Sequence, residues 1–325
     1  MPWPEHCCQP QCKRRSASLR PCWTCLLTSP QQFLSHDGIT TFTELIDMQQ
    51  NVYGVGYDLA VLLAVLGVGL DGDPVTQKLS IGCDATSRTS ANGAKSGELG
   101  LDGHNKFEGD TSLTRNDYFV GPPPGNNFLF NYTLFQRMSK VCNNNCSRDQ
   151  LSLYRYQRYQ DSLKGNGNFY FGPKSVLLYG ASSFLYQLFP SKGDQGKPDQ
   201  ATMNSFFIPE KIPDNWFSRS SPYTIPLVAN EIFAQYEEYP VAFGGNTGKP
   251  NSFVGIGQNG PYFSNNTFTG TPQGVTCLLY QIATENQPSS LGVYSNVPID
   301  NLRWAASKLN PIYKAAGSPC PCKCP

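Results

Sequence analysis

Residues 106–117, KFEGDTSLTRND, crowd Glu108, Asp110, Arg115 and Asp117 into ten positions of a chain that is only 15% charged. Two chemistries suit that knot. In the first, Asp110 caps a helix over Thr111–Phe119 and accepts its first-turn N–H groups, while Arg115 and Asp117 are solvated surface charges. In the second, the knot is a cation site. Glu108 and Ser112 are four apart and share a face in helical geometry. Glu108 offers a carboxylate, Ser112 a hydroxyl, and Gly109 a carbonyl that no side chain shields. Hard oxygen ligands of this kind suit Mg²⁺. The local residues leave both readings open.

Sulfur is the other reactive element. Five of the twelve cysteines, Cys7, Cys8, Cys12, Cys22 and Cys25, fall within residues 1–32. Cys22-x-x-Cys25 lacks the second well-spaced pair that a zinc site needs. Cys142 and Cys146 either form a local disulfide or stay free. In the tail SPCPCKCP, Cys320, Cys322 and Cys324 alternate. They suit a soft metal, or, in an exported protein, a disulfide from one of them to Cys277, with Cys320 assigned as that partner. Three acceptor triplets, at Asn131, Asn145 and Asn265, point to an exported glycoprotein, although residues 1–32 contain no apolar stretch that reads as a secretory signal.

These groups need a scaffold. The chain of 325 residues is long enough to bury a large core, and its net charge of +1 gives no electrostatic footprint for nucleic acid. Thirty glycines and 26 prolines imply long, turn-rich connections. The apolar run Tyr57–Leu70 is too short to span a membrane and reads as a buried helix. Further helices are expected at 43–51, 76–81, 127–140, 149–163, 174–189, 201–207, from 227 within 222–235, 275–282 and 298–309, with 240–276 as loop. No alternating strand series occurs. The expected fold is all-α, a single large helical domain over 33–325 with long Gly/Pro/Asn-rich loops. It follows a divergent segment, 1–32, that reads as disordered or mistranslated.

The stretch GLDGHNKFEGDTSLTRND resembles the signature of the fungal haem-thiolate peroxidases, the chloroperoxidase and unspecific peroxygenase family. HDGITTF, DGDPVTQKLSIG, RYQDSLKGNGNF and a Tyr-Gly-x-x-x-Phe segment are similar to the same family from about Asp37 onward. The resemblance implies a chloroperoxidase-like helical fold and haem b held by a cysteine thiolate. It implies Mg²⁺ held against a haem propionate by Glu108, Gly109 and Ser112. Phe107 and Phe184 would flank the haem access channel. Hydrogen peroxide and a small aromatic or aliphatic molecule would be the substrates, and secretion the destination.

Two positions depart from the family pattern. The axial cysteine falls on Cys22, which Pro21 precedes as the family motif requires, but Trp23 follows it where the motif has proline. The distal carboxylate that follows Tyr-Gly in peroxygenases is replaced here by Ala181, and the arginine seven residues before it by Lys174. The site would then lack its proton carrier, leaving Lys174 as the remaining catalytic candidate. The expectation is a haem-dependent peroxidase or peroxygenase with impaired peroxide chemistry. The alternatives are a non-catalytic relative that binds haem or a small ligand, and a cysteine-rich exported interaction protein without a cofactor.

Overall fold

The structure, a computed structural model, describes residues 34, 39–80, 109–120, 127, 130–190, 198–257, 262–317 and 320. Cys22, Phe107 and Glu108 lie outside the described residues. Among those described, the fold is mostly helical. Its nine α-helices are α1 Phe42–Tyr53, α2 Tyr57–Val65, α3 Tyr132–Cys142, α4 Arg148–Gly165, α5 Leu177–Gln187, α6 Gln200–Phe207, α7 Ile225–Glu238, α8 Pro272–Thr284 and α9 Ile299–Ala315. None of these is long and apolar enough to cross a membrane.

Local chemistry sets where these helices start. Thr41 and Glu44 form a capping box at α1: the threonine hydroxyl accepts the Glu44 N–H, and the Glu44 carboxylate accepts the Thr41 N–H at 2.8 Å. Asn131 caps α3 and Asp199 caps α6, each through a side-chain oxygen on the third residue's N–H. Helix α2 is apolar all round, which suits only a buried position; Leu59, Ala60, Leu62 and Val65 are almost wholly enclosed. It ends in a π-helical turn, Leu66–Leu70, where the Asn301 side-chain amide donates to the Gly69 carbonyl at 2.9 Å.

Helix α7 is the hub. It packs on α4, α5 and α8; α8 contacts α9, and α9 returns to α2. The core between them is dense in aromatics, including Phe171, Tyr179, Tyr236 and Phe243.

Among the described residues, four small antiparallel sheets qualify the all-α expectation. They are β1 (Ile39–Thr41) with β2 (Lys78–Ser80), β3 (Tyr170–Phe171) with β4 (Gly244–Gly245) and β5 (Val254–Gly255), β6 (Phe263–Ser264) with β7 (Thr267–Phe268), and β8 (Pro288–Ser290) with β9 (Val293–Tyr294). The helix expected over 76–81 is instead a turn through Gln77 followed by the strand Lys78–Ser80. The Asp73 carboxylate takes the Val75 N–H and the Thr76 hydroxyl, which closes a turn. The chain then reverses, and Ser80 pairs with Ile39. Strands β4–β7 occupy part of the loop expected over 240–276. Gly244 permits the close approach of β5 there, since a Cβ would lie 2.1 Å from the Val254 carbonyl oxygen.

The remaining helices run close to the periodicity-based spans. The exceptions are α3, which begins only after its Asn131 cap, α7, which starts at Ile225 on Thr224, and α9, which continues through Pro311 to Ala315.

Candidate functional site

The charged knot is neither a helix nor a solvated surface. Residues 109–120 are non-helical, and Asp110, Thr111, Ser112, Thr114, Arg115 and Asp117 are all buried. The expected Thr111–Phe119 helix fails because the two carboxylates capture its backbone donors. Asp110 accepts the N–H of Phe119 at 2.9 Å and of Tyr170 at 2.8 Å. Asp117 accepts the Thr111 N–H at 3.1 Å. The Asn166 amide, at the C-terminal end of α4, donates to both carboxylates at 3.2 Å. Burial pushes the Asp110 carboxyl well above the usual carboxylate range. The neighbouring Asp117 pushes it further up, while the N–H groups of Phe119, Tyr170 and Tyr118 pull it back.

Helix α4 holds this segment from behind. Arg155 donates to both the carbonyl and the hydroxyl of Thr111, the latter at 2.8 Å. Arg158 Nε donates to the Ser112 carbonyl at 2.8 Å, and its Nη2 reaches Asp117 at 3.2 Å. The Tyr154 hydroxyl lies 3.1 Å from the Leu113 carbonyl and 2.7 Å from that of Leu134. Three consecutive loop carbonyls are thus met by three side chains of one helix. Two oxygens of the segment are left over. Among the described residues, the Gly109 carbonyl receives only a long 3.3 Å contact from the Tyr118 N–H. The Ser112 hydroxyl, on a residue 2% exposed, has no hydrogen-bond partner among the described residues. An oxygen that no protein donor or acceptor occupies can serve as a cation ligand, which is the role the resemblance implies for it. Residues 109–112 are not helical, and Glu108 lies outside the described residues.

The other candidate residues sit elsewhere. Lys174, in a 3₁₀ turn (Pro173–Val176) before α5, is half-buried and donates from Nζ to the Ser295 hydroxyl at 2.7 Å. Ala181 is half-buried on α5. Phe184, on the same helix, is buried edge-on against Tyr223, with ring centroids 6.1 Å apart. Among the described cysteines, Cys142 is bonded to Cys146 and Cys277 to Cys320. Asn131 is half-buried and uses its amide on Asn116; Asn145 is half-buried beside a disulfide; Asn265 is exposed at the β6–β7 turn.

Sequence reasoning missed Tyr154, Arg155, Arg158 and Asn166. The signal available was two arginines three apart on a helix face that also carries Leu151 and Ser162.

Residues 30–221 match the family described as Peroxidase, family 2. Among similar proteins, the chain is 27% identical to the aromatic peroxidase fscJ of Fusarium equiseti over 295 residues, 82% of this chain and 67% of that protein. It is 28% identical to the dothistromin biosynthesis peroxidase dotB of Dothistroma septosporum, over 69% of this chain and 58% of the relative. It is 31% identical to an aromatic peroxygenase of Cyclocybe aegerita, over 68% and 59%. The chain therefore spans about three fifths to two thirds of the length of these relatives. The family match runs through the buried loop, the arginines of α4 and the Ala181 helix, and on it the chain belongs to family 2 of the peroxidases, enzymes of the haem peroxidase type.

Proposed function

We propose that the protein is an exported haem-thiolate enzyme that uses hydrogen peroxide to oxidise small aromatic or aliphatic molecules, with its peroxide chemistry slowed by the loss of a proton carrier. The observation that carries this reading is the family match over residues 30–221, which takes in the cation loop and α5 together. Haem b, when bound, supplies the iron at which peroxide is split.

The protein's own contributions follow from its residues. The axial sulfur must come from a cysteine other than the four in disulfides. Cys22, at the spacing the resemblance requires, takes that role, and its thiolate would push electron density toward the metal. Glu108, the Gly109 carbonyl and the Ser112 hydroxyl would hold Mg²⁺ at a propionate. The Ser112 hydroxyl, which no hydrogen bond from the described residues occupies, supports that fit. Phe107 and Phe184 would narrow the approach of substrate.

The proton step is the weak link. A distal base takes a proton from one peroxide oxygen and returns it to the other, a contribution of about 10²–10⁴-fold. The methyl group of Ala181 carries no proton. Lys174 Nζ is engaged as a donor to the Ser295 hydroxyl at 2.7 Å. Ala181 also favours a second reading, a relative that binds haem or a small ligand without turning it over.

The test begins with hemin and the purified full chain. A Soret band and a thiolate-type carbon monoxide difference spectrum, both lost in Cys22→Ser, are expected. A folded preparation that stays colourless would sink the proposal. A coloured preparation with no peroxide-dependent oxidation of a phenol would select the second reading.

A further inference from the structure

We propose that Arg155 and Arg158 are positioning residues of the cation site. They commit the carbonyls of Thr111 and Ser112 to α4 and lock the loop in the shape that leaves the Gly109 carbonyl and the Ser112 hydroxyl for a divalent cation. The inference rests on the cation reading given under Proposed function and extends it to residues that touch no ligand themselves.

Three observations carry it. The first is strain. Thr111 has φ of 65° and is wholly buried. A β-branched residue in the left-handed region is an outlier, and it persists only where its surroundings over-determine it. Here they do. Arg155 holds the Thr111 carbonyl and hydroxyl, and Asp117 holds its N–H. This kink lies directly between Asp110 and Ser112 and sets the direction in which the chain leaves for the serine.

The second is the use of charge. Arginine is rarely buried, and a buried charged group is often no better for stability than an apolar residue of similar size. Arg155 is 2% exposed and Arg158 6%. Both direct hydrogen bonds at backbone carbonyls of one short loop, with Arg158 also bridging to Asp117 and Asp161. That pattern fixes position.

The third is selectivity. The arginines occupy the carbonyls of residues 111 and 112, and Tyr154 that of 113, but the Ser112 hydroxyl is passed over. Hydrogen-bonding partners behind a metal's ligands orient those ligands, and removing one typically costs about 10–100-fold in metal affinity.

The test is Mn²⁺ binding to the haem-loaded protein, read from the loss of the free-ion electron paramagnetic resonance signal and reversed with excess Mg²⁺. Arg155→Lys and Arg158→Lys keep the charge but lose the planar fork that meets two acceptors at once. Each should raise the Mn²⁺ dissociation constant about tenfold or more. Arg148→Lys is the control on the same helix: Arg148 bonds Glu231 of α7 and touches no residue of the loop. It should leave the dissociation constant within about twofold. If both lysine variants fail to fold, Thr111→Val, which deletes one acceptor of Arg155, should show the same weakening. A wild-type protein that binds no Mn²⁺ would remove the cation reading and the inference with it. Wild-type binding that the arginine variants leave unchanged, or that Arg148→Lys weakens as much as they do, would overturn the arginine assignment alone and leave the cation reading standing.

Discussion

Replacing Tyr154 with phenylalanine removes the phenol that α4 places against the carbonyls of Leu134, on α3, and Leu113, in the loop. Tyr154 is 0% exposed, and its hydroxyl has the Leu134 carbonyl at 2.7 Å and the Leu113 carbonyl at 3.1 Å. Phenylalanine keeps the ring and loses one donor. One buried hydrogen bond contributes about 1 kcal/mol, and leaving its acceptor unpaired brings the cost to about 1–2 kcal/mol. In a chain of this size that lowers the melting temperature by a few degrees. The pH dependence is more diagnostic. Burial pushes the Tyr154 phenol from 10.0 to about 12, only partly offset by Arg158 and Arg137. A folded pKa above the unfolded one means that the stability it contributes is complete below about pH 10 and is lost as pH rises from 10.0 through about 12. Roughly 1 kcal/mol of it is gone by about pH 10.5. The wild-type advantage at neutral pH should therefore nearly vanish at about pH 10.5 and reverse above about pH 11. The other buried tyrosines titrate identically in both proteins and cancel in the comparison. Guanidinium unfolding followed by tryptophan fluorescence at about pH 7, 9 and 10.5 measures the difference. A gap that stays constant with pH would refute the buried-phenol reasoning, and no gap at neutral pH would refute the hydrogen bond's contribution.

Ala181→Glu should raise peroxide-dependent oxidation of a phenolic substrate by about 10²-fold or more, since it would supply the proton carrier that the proposed function lacks; equal rates in the two proteins would count against the missing-carboxylate account. Removing the Cys277–Cys320 bridge, which spans 43 positions, should cost about 4 kcal/mol, against about 2 kcal/mol for Cys142–Cys146, which spans four, because loop-closure entropy grows with loop length. Equal losses in urea unfolding of the two paired Cys→Ala variants would contradict the loop-length account. Glycopeptide mapping of secreted protein should find a glycan on Asn265, exposed at the tip of a hairpin, and none on Asn131, whose amide is spent on Asn116 and whose carbonyl caps α3; full occupancy of Asn131 would show that these contacts do not protect it.

The helices were legible because their apolar spacing is local information. Tyr57–Leu70 reads as buried from composition alone, and Phe42–Tyr53 from its inward Leu45, Ile46 and Met48. The misread segments are those whose partners lie far away in the chain. The strand at Lys78–Ser80 exists because Asp73 closes a turn and Ile39–Thr41 is in place to receive it, a pairing that no window around residue 78 contains. The same holds for the knot. Taken alone, KFEGDTSLTRND offers an N-cap and surface charges, which is the cheapest local use of those residues. Its true partners come from 44 and 46 positions away, on a helix that reads as half polar. Counting charges, however, does point to them. Asp110 and Asp117 cannot be buried together without donors, and Arg155 and Arg158, three apart beside Tyr154 and Leu151, cannot be buried without acceptors. Arg158 meets Asp117 directly, while Arg155 and Asp110 are met by the Thr111 oxygens and by backbone N–H groups of the same neighbourhood. Two such anomalies of opposite sign, both next to apolar residues, therefore mark a long-range contact in the sequence itself. The Ser112 hydroxyl is what remains once that pairing is made, so the proposed cation site would be the remainder of a balance between the loop and α4.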